Sequence, residues 1–185
     1  DNPLLFAESK ESISCGNFHA LYPARVADRI CSAAATLANI SERRIALAMN
    51  TGSSQLPTFL IKKGGLHSGF MMIHVTAAAL VSEAKTNSFP ASVDSIPTND
   101  DKEDHVSMGP TAGFKALQNV KLLRDVLCIE LMAAAQAIDL LRPLKSSPKI
   151  EAVHAKVRSI VPFMEKDRST AEEISKLSQN LESLL

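Results

Sequence analysis

Tryptophan is absent from this chain of 185 residues, Tyr22 is its one tyrosine, and aromatic side chains make up 4% of the whole. So thin a supply leaves no platform on which the bases of a single-stranded nucleic acid would stack. Excess charge of either sign is absent too, since 20 Lys and Arg offset 20 Asp and Glu. That balance removes the general attraction to phosphate backbones or anionic lipid surfaces, so neither nucleic acid nor membrane is expected as a partner. The three cysteines, Cys15, Cys31 and Cys128, are widely spaced with no CxxC or CxxH pair. They read as reduced core or interface thiols of a cytosolic protein, not as a disulfide frame or zinc site. The longest apolar run, Phe70 to Val81, is interrupted by His74 and Thr76. It falls well short of the ~20 residues a membrane span requires, so it reads as a buried helix. No basic, apolar leader opens the chain; it starts Asp1-Asn2-Pro3 without a methionine, and the expectation is a piece or processed product of a longer protein.

What is present is helical periodicity. Pro23 suits a first helical turn, and Val26, Ile30, Ala33, Leu37, Ile40, Arg44 and Leu47 recur every three or four residues to about Met49. Residues 50–66, with Pro57 and Gly64-Gly65, form a linker. A second helix, from about His67 to Thr86, is apolar or small nearly all round, which implies burial on every side. Pro110 opens a third that Pro143 ends, with Val120, Leu123, Leu127, Leu131, Ala134, Ile138 and Leu141 as its stripe; at 1.5 Å per residue it is about 50 Å long. Ser147-Pro148 starts a shorter helix to about Val161, and Thr170 with Glu173 forms a capping-box signature for the last. Residues 1–21 read as extended or looped. With no strand-like alternation, the class is all-α: an elongated bundle of long helices, of the kind that buries its apolar sides in an oligomer. The alanine runs 33–35, 77–79 and 133–135 fit close helix approach and simple helix propensity equally well.

Chemistry concentrates in one place. Between two long helices, Asp100, Asp101, Glu103, Asp104 and His105 fall within six residues. Charge packed that densely is either a solvated loop or a site. A divalent-metal site there lacks any recognisable ligand spacing, so no metal is expected. Gly64-Gly65-Leu66-His67-Ser68-Gly69 before a helix suggests phosphate at a helix N-terminus, but it has no preceding strand and no lysine-serine pair of a P-loop. His74 on an apolar helix reads as a hydrogen-bonded core or interface histidine. There is no Gly-x-Ser-x-Gly elbow.

Several longer strings, taken together and in order, say more. Asp1-Asn2-Pro3-Leu4, Gly16-Asn17-Phe18-His19, Gly64 through Met71, Thr76 through Glu83, Pro90 through Thr98, Glu103 through Gly109, and Leu140 through Lys145 resemble the C-terminal part of the histidine ammonia-lyases. Those enzymes sit within the superfamily of aromatic amino-acid ammonia-lyases and aminomutases. The likeness runs to about Arg168, so 1–168 reads as the C-terminal bundle part of an ammonia-lyase and 169–185 as a C-terminal helix.

The resemblance implies a homotetramer with shared active sites, completed by an N-terminal part of the same enzyme. It also implies a methylidene-imidazolone (MIO) electrophile, cyclised from an Ala-Ser-Gly tripeptide that this chain does not contain; the nearest string is Ala91-Ser92-Val93. By the same resemblance, Asn2 lines the site near the substrate carboxylate, Phe18 packs beside the substrate, and Glu103 meets its polar end as the catalytic carboxylate. Glutamate at that position resembles the histidine-specific members, where phenylalanine-specific ones generally carry glutamine. Ala20-Leu21 stands where the family usually has Gly-Glu, and Asn99-Asp100-Asp101-Lys102 replaces a small, neutral run. Lys102 would either pair with Glu103 or face solvent. The runner-up readings are a non-catalytic scaffold or regulatory subunit of the same fold, and a lyase or aminomutase for another aromatic amino acid.

Overall fold

Long helices dominate the computed structural model, which describes residues 2–184. Asp1, the first residue of the opening motif, lies outside them. The helices are α1 Leu21–Met49, a one-turn α2 Thr51–Ser54, α3 Met71–Asn87, α4 Gly109–Leu140, α5 Pro148–Ile160 and α6 Ala171–Leu184. One element is unexpected: strands β1 Leu4–Phe6 and β2 Glu11–Ile13 pair antiparallel, Leu4 opposite Ile13. Three residues per strand are too few for a period-2 pattern to register, which is why the segment reads only as extended.

Local chemistry sets the helix ends. The Asn50 side chain accepts the Ser53 N–H at 3.2 Å and starts α2 as α1 stops. Pro110 stands in the first turn of α4 and Pro148 in that of α5, where Ser147 accepts the Ile150 N–H. The second predicted helix begins at Met71, not near His67. Gly69 holds φ +53°, and a Cβ there would sit 2.6 Å from the Phe59 carbonyl, so the chain turns sharply before it can wind. In α6 the expected capping-box Glu173 is instead engaged by Arg168 at 3.0 and 3.3 Å.

α1, α3 and α4 pack along one another, but not on the faces that periodicity suggests. The stripe Val26, Ile30, Ala33, Leu37, Ile40, Arg44 and Leu47 faces outward, with Leu37 55% exposed. The opposite row of α1, Ala24, Cys31, Ala35, Ala38 and Ile45, is buried against Ala84, Val81, Ala112, Leu122 and Val126 of its neighbours. α4 repeats this. Ala112, Ala116, Asn119, Leu122, Val126 and Ile129 face inward, while Val120, Ala134 and Leu141 are exposed. Nor is α3 buried on every side: Ile73, Ala77, Val81 and Ala84 are, whereas Met72 and Val75 are open. Each helix carries two apolar rows at one period. The row of small side chains allows the closer backbone approach within the chain, and the bulkier row is left exposed on its surface.

The far end of the bundle is thicker. Ile45, Met49, Leu60, Ile61, Phe70, Ile129, Met132, Val157, Met164 and Leu177 form one core there, joined by α5 and α6. Within it Gln136 is fully buried. Its Nε2 donates to the carbonyls of Leu60 (3.1 Å) and Met164 (2.9 Å), and its Oε1 accepts the Met164 N–H at 3.0 Å. Gln136→Leu keeps the volume and strands all three backbone groups, so it should cost about 2–4 kcal/mol. Urea unfolding of the full-length protein, followed by helical circular dichroism, checks this.

Candidate functional site

The opposite end of the bundle, where α1 and α4 begin and α3 ends, holds the residues singled out from sequence. Asn2 is exposed, and its Oδ1 accepts the Ser14 hydroxyl (3.1 Å) and the Cys15 N–H (3.0 Å), tying the start of the chain to the far side of the β-hairpin. The chain then turns at Gly16, whose carbonyl accepts the His19 N–H, and presents Phe18 with 61% of its surface open. His19 reaches the charged loop: Nε2 lies 2.8 Å from the His105 carbonyl, and the two imidazoles stack with centroids 5.7 Å apart.

That loop is built rather than loose. Thr98 and Glu103 exchange both backbone hydrogen bonds, at 3.2 and 3.3 Å, and the Thr98 hydroxyl donates to Glu103 Oε2 at 2.7 Å. Asn99, Asp100 and Asp101 turn the tip in left-handed conformation, which Asn and Asp tolerate better than most residues. Lys102 pairs with Asp100 at 3.3 Å, so the sequence ambiguity closes away from Glu103. The Val106 N–H donates to the Ser95 hydroxyl at 2.8 Å and draws the legs of the loop together. Asn2, Phe18 and Glu103 are thus linked through Ser14–His19 and His105. Among the described residues no group of three or more His, Cys, Asp or Glu side chains is arranged to hold a metal ion.

Beneath the loop lie two buried polar residues that sequence reasoning missed. Asp28 of α1 accepts the N–H groups of Ala91 (3.0 Å) and Ser92 (2.9 Å). Burial pushes its carboxyl up, but the hydroxyl and N–H of Ser92, the N–H of Ala91 and the charge of Lys115 outweigh that and hold it below its usual value. Asn119 of α4 donates to the carbonyls of Cys31 (3.2 Å) and Ala84 (3.0 Å) and to the Ser88 hydroxyl. A polar residue on the alanine-rich row of a helix was the available signal. Ala91-Ser92-Val93 is therefore a 3-10 turn locked onto Asp28, with Ala91 buried.

Other candidates resolve into structure. The Ser68 and Gly69 N–H groups ahead of α3, the suggested phosphate cradle, donate to Asp167 at 2.9 and 2.8 Å; these two bonds hold the Asp167 carboxyl below its usual range. His74 is hydrogen-bonded, as expected: its Nε2 lies 2.6 Å from buried Glu42, whose carboxyl is held low first by Arg43 and then, against burial, by His74. Cys31 and Cys128 are buried, and burial pushes the Cys128 thiol up to about 11. No helix among the described residues is long and apolar enough to cross a membrane.

Asp28→Asn keeps one acceptor but sets an amide N–H against a backbone N–H, and should cost about 2 kcal/mol at neutral pH. Because the folded-state pKa lies below the usual 3.8, the Asp28 contribution is complete above that value and fades as pH falls through the depressed one. The unfolding midpoints of parent and variant should therefore differ at pH 7 and draw together as the pH falls below 3.8.

Comparison with known proteins bears on the family and the fold. Residues 1–159 match the family described as aromatic amino acid lyase. Histidine ammonia-lyase of Vibrio cholerae is 48% identical over 182 residues, covering 98% of this chain and 36% of that protein. The mouse enzyme is 52% identical over 174 residues, 94% of this chain and 26% of its own length. The crystal structure of histidine ammonia-lyase from Trypanosoma cruzi superposes with a TM-score of 0.94 at 48% identity, covering 99% of this chain and 36% of that one. Phenylalanine aminomutase from Pantoea agglomerans gives 0.93 at 31% identity, with 98% and 36% covered. The chain thus spans about a quarter to a third of the length of these relatives, and it belongs to the aromatic amino acid lyase family.

Proposed function

We propose that this chain is the C-terminal part of a histidine ammonia-lyase, which eliminates ammonia from L-histidine to give urocanate. The observation that carries the reading is the seam at which the Phe18 segment meets the loop bearing Glu103. There an amide, an open aromatic ring and a carboxylate collect at one end of the bundle, in a chain about half identical to histidine ammonia-lyases.

Each residue has a role its surroundings fit. With Asn2 Oδ1 engaged by Ser14 and Cys15, the amide N–H groups are the end left to donate to a substrate carboxylate. Phe18 gives an apolar wall. Thr98 holds Oε2 of Glu103, which leaves Oε1 to accept an imidazole N–H or exchange its proton. When present, the MIO group formed from Ala-Ser-Gly elsewhere in the whole protein would supply the electrophile that labilises the amine. Residues 1–168 carry the bundle and these side chains, and 169–185 add the last helix.

The outward rows on α1, α3 and α4 supply the surface for the rest of the protein and for further subunits, as in a homotetramer with shared sites, and we read the assembly as cytoplasmic. A second reading, an aminomutase or a lyase for another aromatic amino acid, draws on the likeness to phenylalanine aminomutase. Against it stands the glutamate at position 103; a non-catalytic scaffold has no observation of its own.

In the complete assembly Glu103→Gln should slow urocanate formation, followed by ultraviolet absorbance, by about 10²–10⁴-fold. Asp101→Asn, at the solvated loop tip, should change it little. Equal, near-normal rates for both would remove the histidine-specific reading. Leu37→Lys on the outward row of α1 should shift the assembly to smaller species in light scattering, and an unchanged mass would show that this row does not face another subunit.

A further inference from the structure

We propose that His19 is a positioning residue for the reaction, acting through the loop that carries Glu103; this rests on the reading of Glu103 given above. The sequence places His19 directly after Phe18 and 86 residues before His105. The fold makes these two segments one seam. A carbonyl oxygen only accepts, so the 2.8 Å contact with the His105 carbonyl fixes a proton on His19 Nε2. The same ring lies nearly parallel to that of His105, at 12°.

The next residue repeats the link. Ala20 sits against Gly109, where an added Cβ would lie 2.8 Å from the Ala20 Cβ. Two consecutive residues of the Phe18 segment therefore bear on the leg of the loop running from His105 to the start of α4. On its other leg, Thr98 holds Glu103 by backbone and side chain. Asp28 and Ser95 fix the base of the loop, and their bonds end at Ser92 and Val106. Neither bond touches the Phe18 segment itself, which meets the loop through His19 and Ala20. An N–H donor at position 19 thus sets how far the carboxylate stands from the aromatic wall, and a misplacement of about 1 Å is enough to cost ~10²-fold in rate.

The complete enzyme tests this with His19→Phe, which keeps a flat ring and removes the donor, and His19→Gln, which replaces the ring and keeps an N–H within reach. His19→Phe should lower kcat by about 10–100-fold with a smaller change in KM, and His19→Gln should recover most of that loss. Combined with Glu103→Gln, His19→Phe should add little, because its effect passes through the carboxylate. If Glu103→Gln alone proves near-normal, the reading of Glu103 fails and the role of His19 with it. If Glu103→Gln is impaired but His19→Phe is fully active, or if the two losses multiply, the role of His19 is overturned while that of Glu103 stands. Should His19→Phe not assemble, His19→Gln decides: a kcat far below the parent refutes the donor role, and a kcat near it supports the role.

Discussion

Close approach between α1, α3 and α4 is the constraint on which the remaining geometry depends. Alanine at 24, 35, 38, 84 and 112 leaves little between the backbones, so the helices meet with small side chains and a few branched ones such as Val81 and Val126. A smooth seam of this kind resists sliding only weakly, because one small residue replaces another at nearly equal cost. Polar residues buried in it supply the register. Asn119 binds carbonyls of both neighbouring helices, Glu42 meets His74 across α1 and α3, and the Ser41 hydroxyl donates to Glu130 across α1 and α4 at 2.6 Å. A shift of one turn would leave each of these unpartnered away from water, at about 1–3 kcal/mol apiece.

This register reaches the candidate site directly. Asn119 also donates to the Ser88 hydroxyl, three residues before the turn that Asp28 holds, and that turn feeds the loop with Glu103. On the other side α1 starts at Leu21, two residues after His19. The distance from Phe18 to Glu103 is therefore not a property of two flexible segments. Both follow from elements whose placement depends on where α1 stands against α4, and the His19 contact joins them. For the proposed reaction, preorganisation of this sort would place the Glu103 carboxylate before substrate arrives and leave less ordering to the chemical step.

Much of this was legible in the residues, and the failures have a common cause. Helix existence and the breaks at Pro57, Gly64-Gly65 and Pro143 follow from local backbone chemistry, which the sequence states outright. The facing of α1 and α4 does not, because two apolar rows share one period and nothing local says that the bulky row is reserved for an external surface. Glu103, Phe18 and Asn2 came from a family resemblance carried by several ordered strings; spacing alone left the charged loop open between solvent and site. His19 and Asp28 escaped because their importance lies in partners 86 and 63 residues away. The β-hairpin escaped through brevity.

Electrostatics distinguishes the two ends of the bundle. α5 and α6 carry acidic residues in their first turns, Glu151 and the pair Glu172 and Glu173, and the backbone N–H groups ahead of α3 are engaged by Asp167. Each thus offsets the partial positive charge of a helix start. α1 and α4 have no acidic residue in the first turn and no side-chain cap at Ala20 or Met108. Both begin at the seam between the Phe18 segment and the Glu103 loop. Bare helix starts cost stability in an isolated domain, yet here two of them are kept at the same end. The positive potential they leave suits the two anions that the proposed reaction brings there, the carboxylate of an amino acid and that of Glu103. A helix start already neutralised by its own aspartate would have less to offer either one.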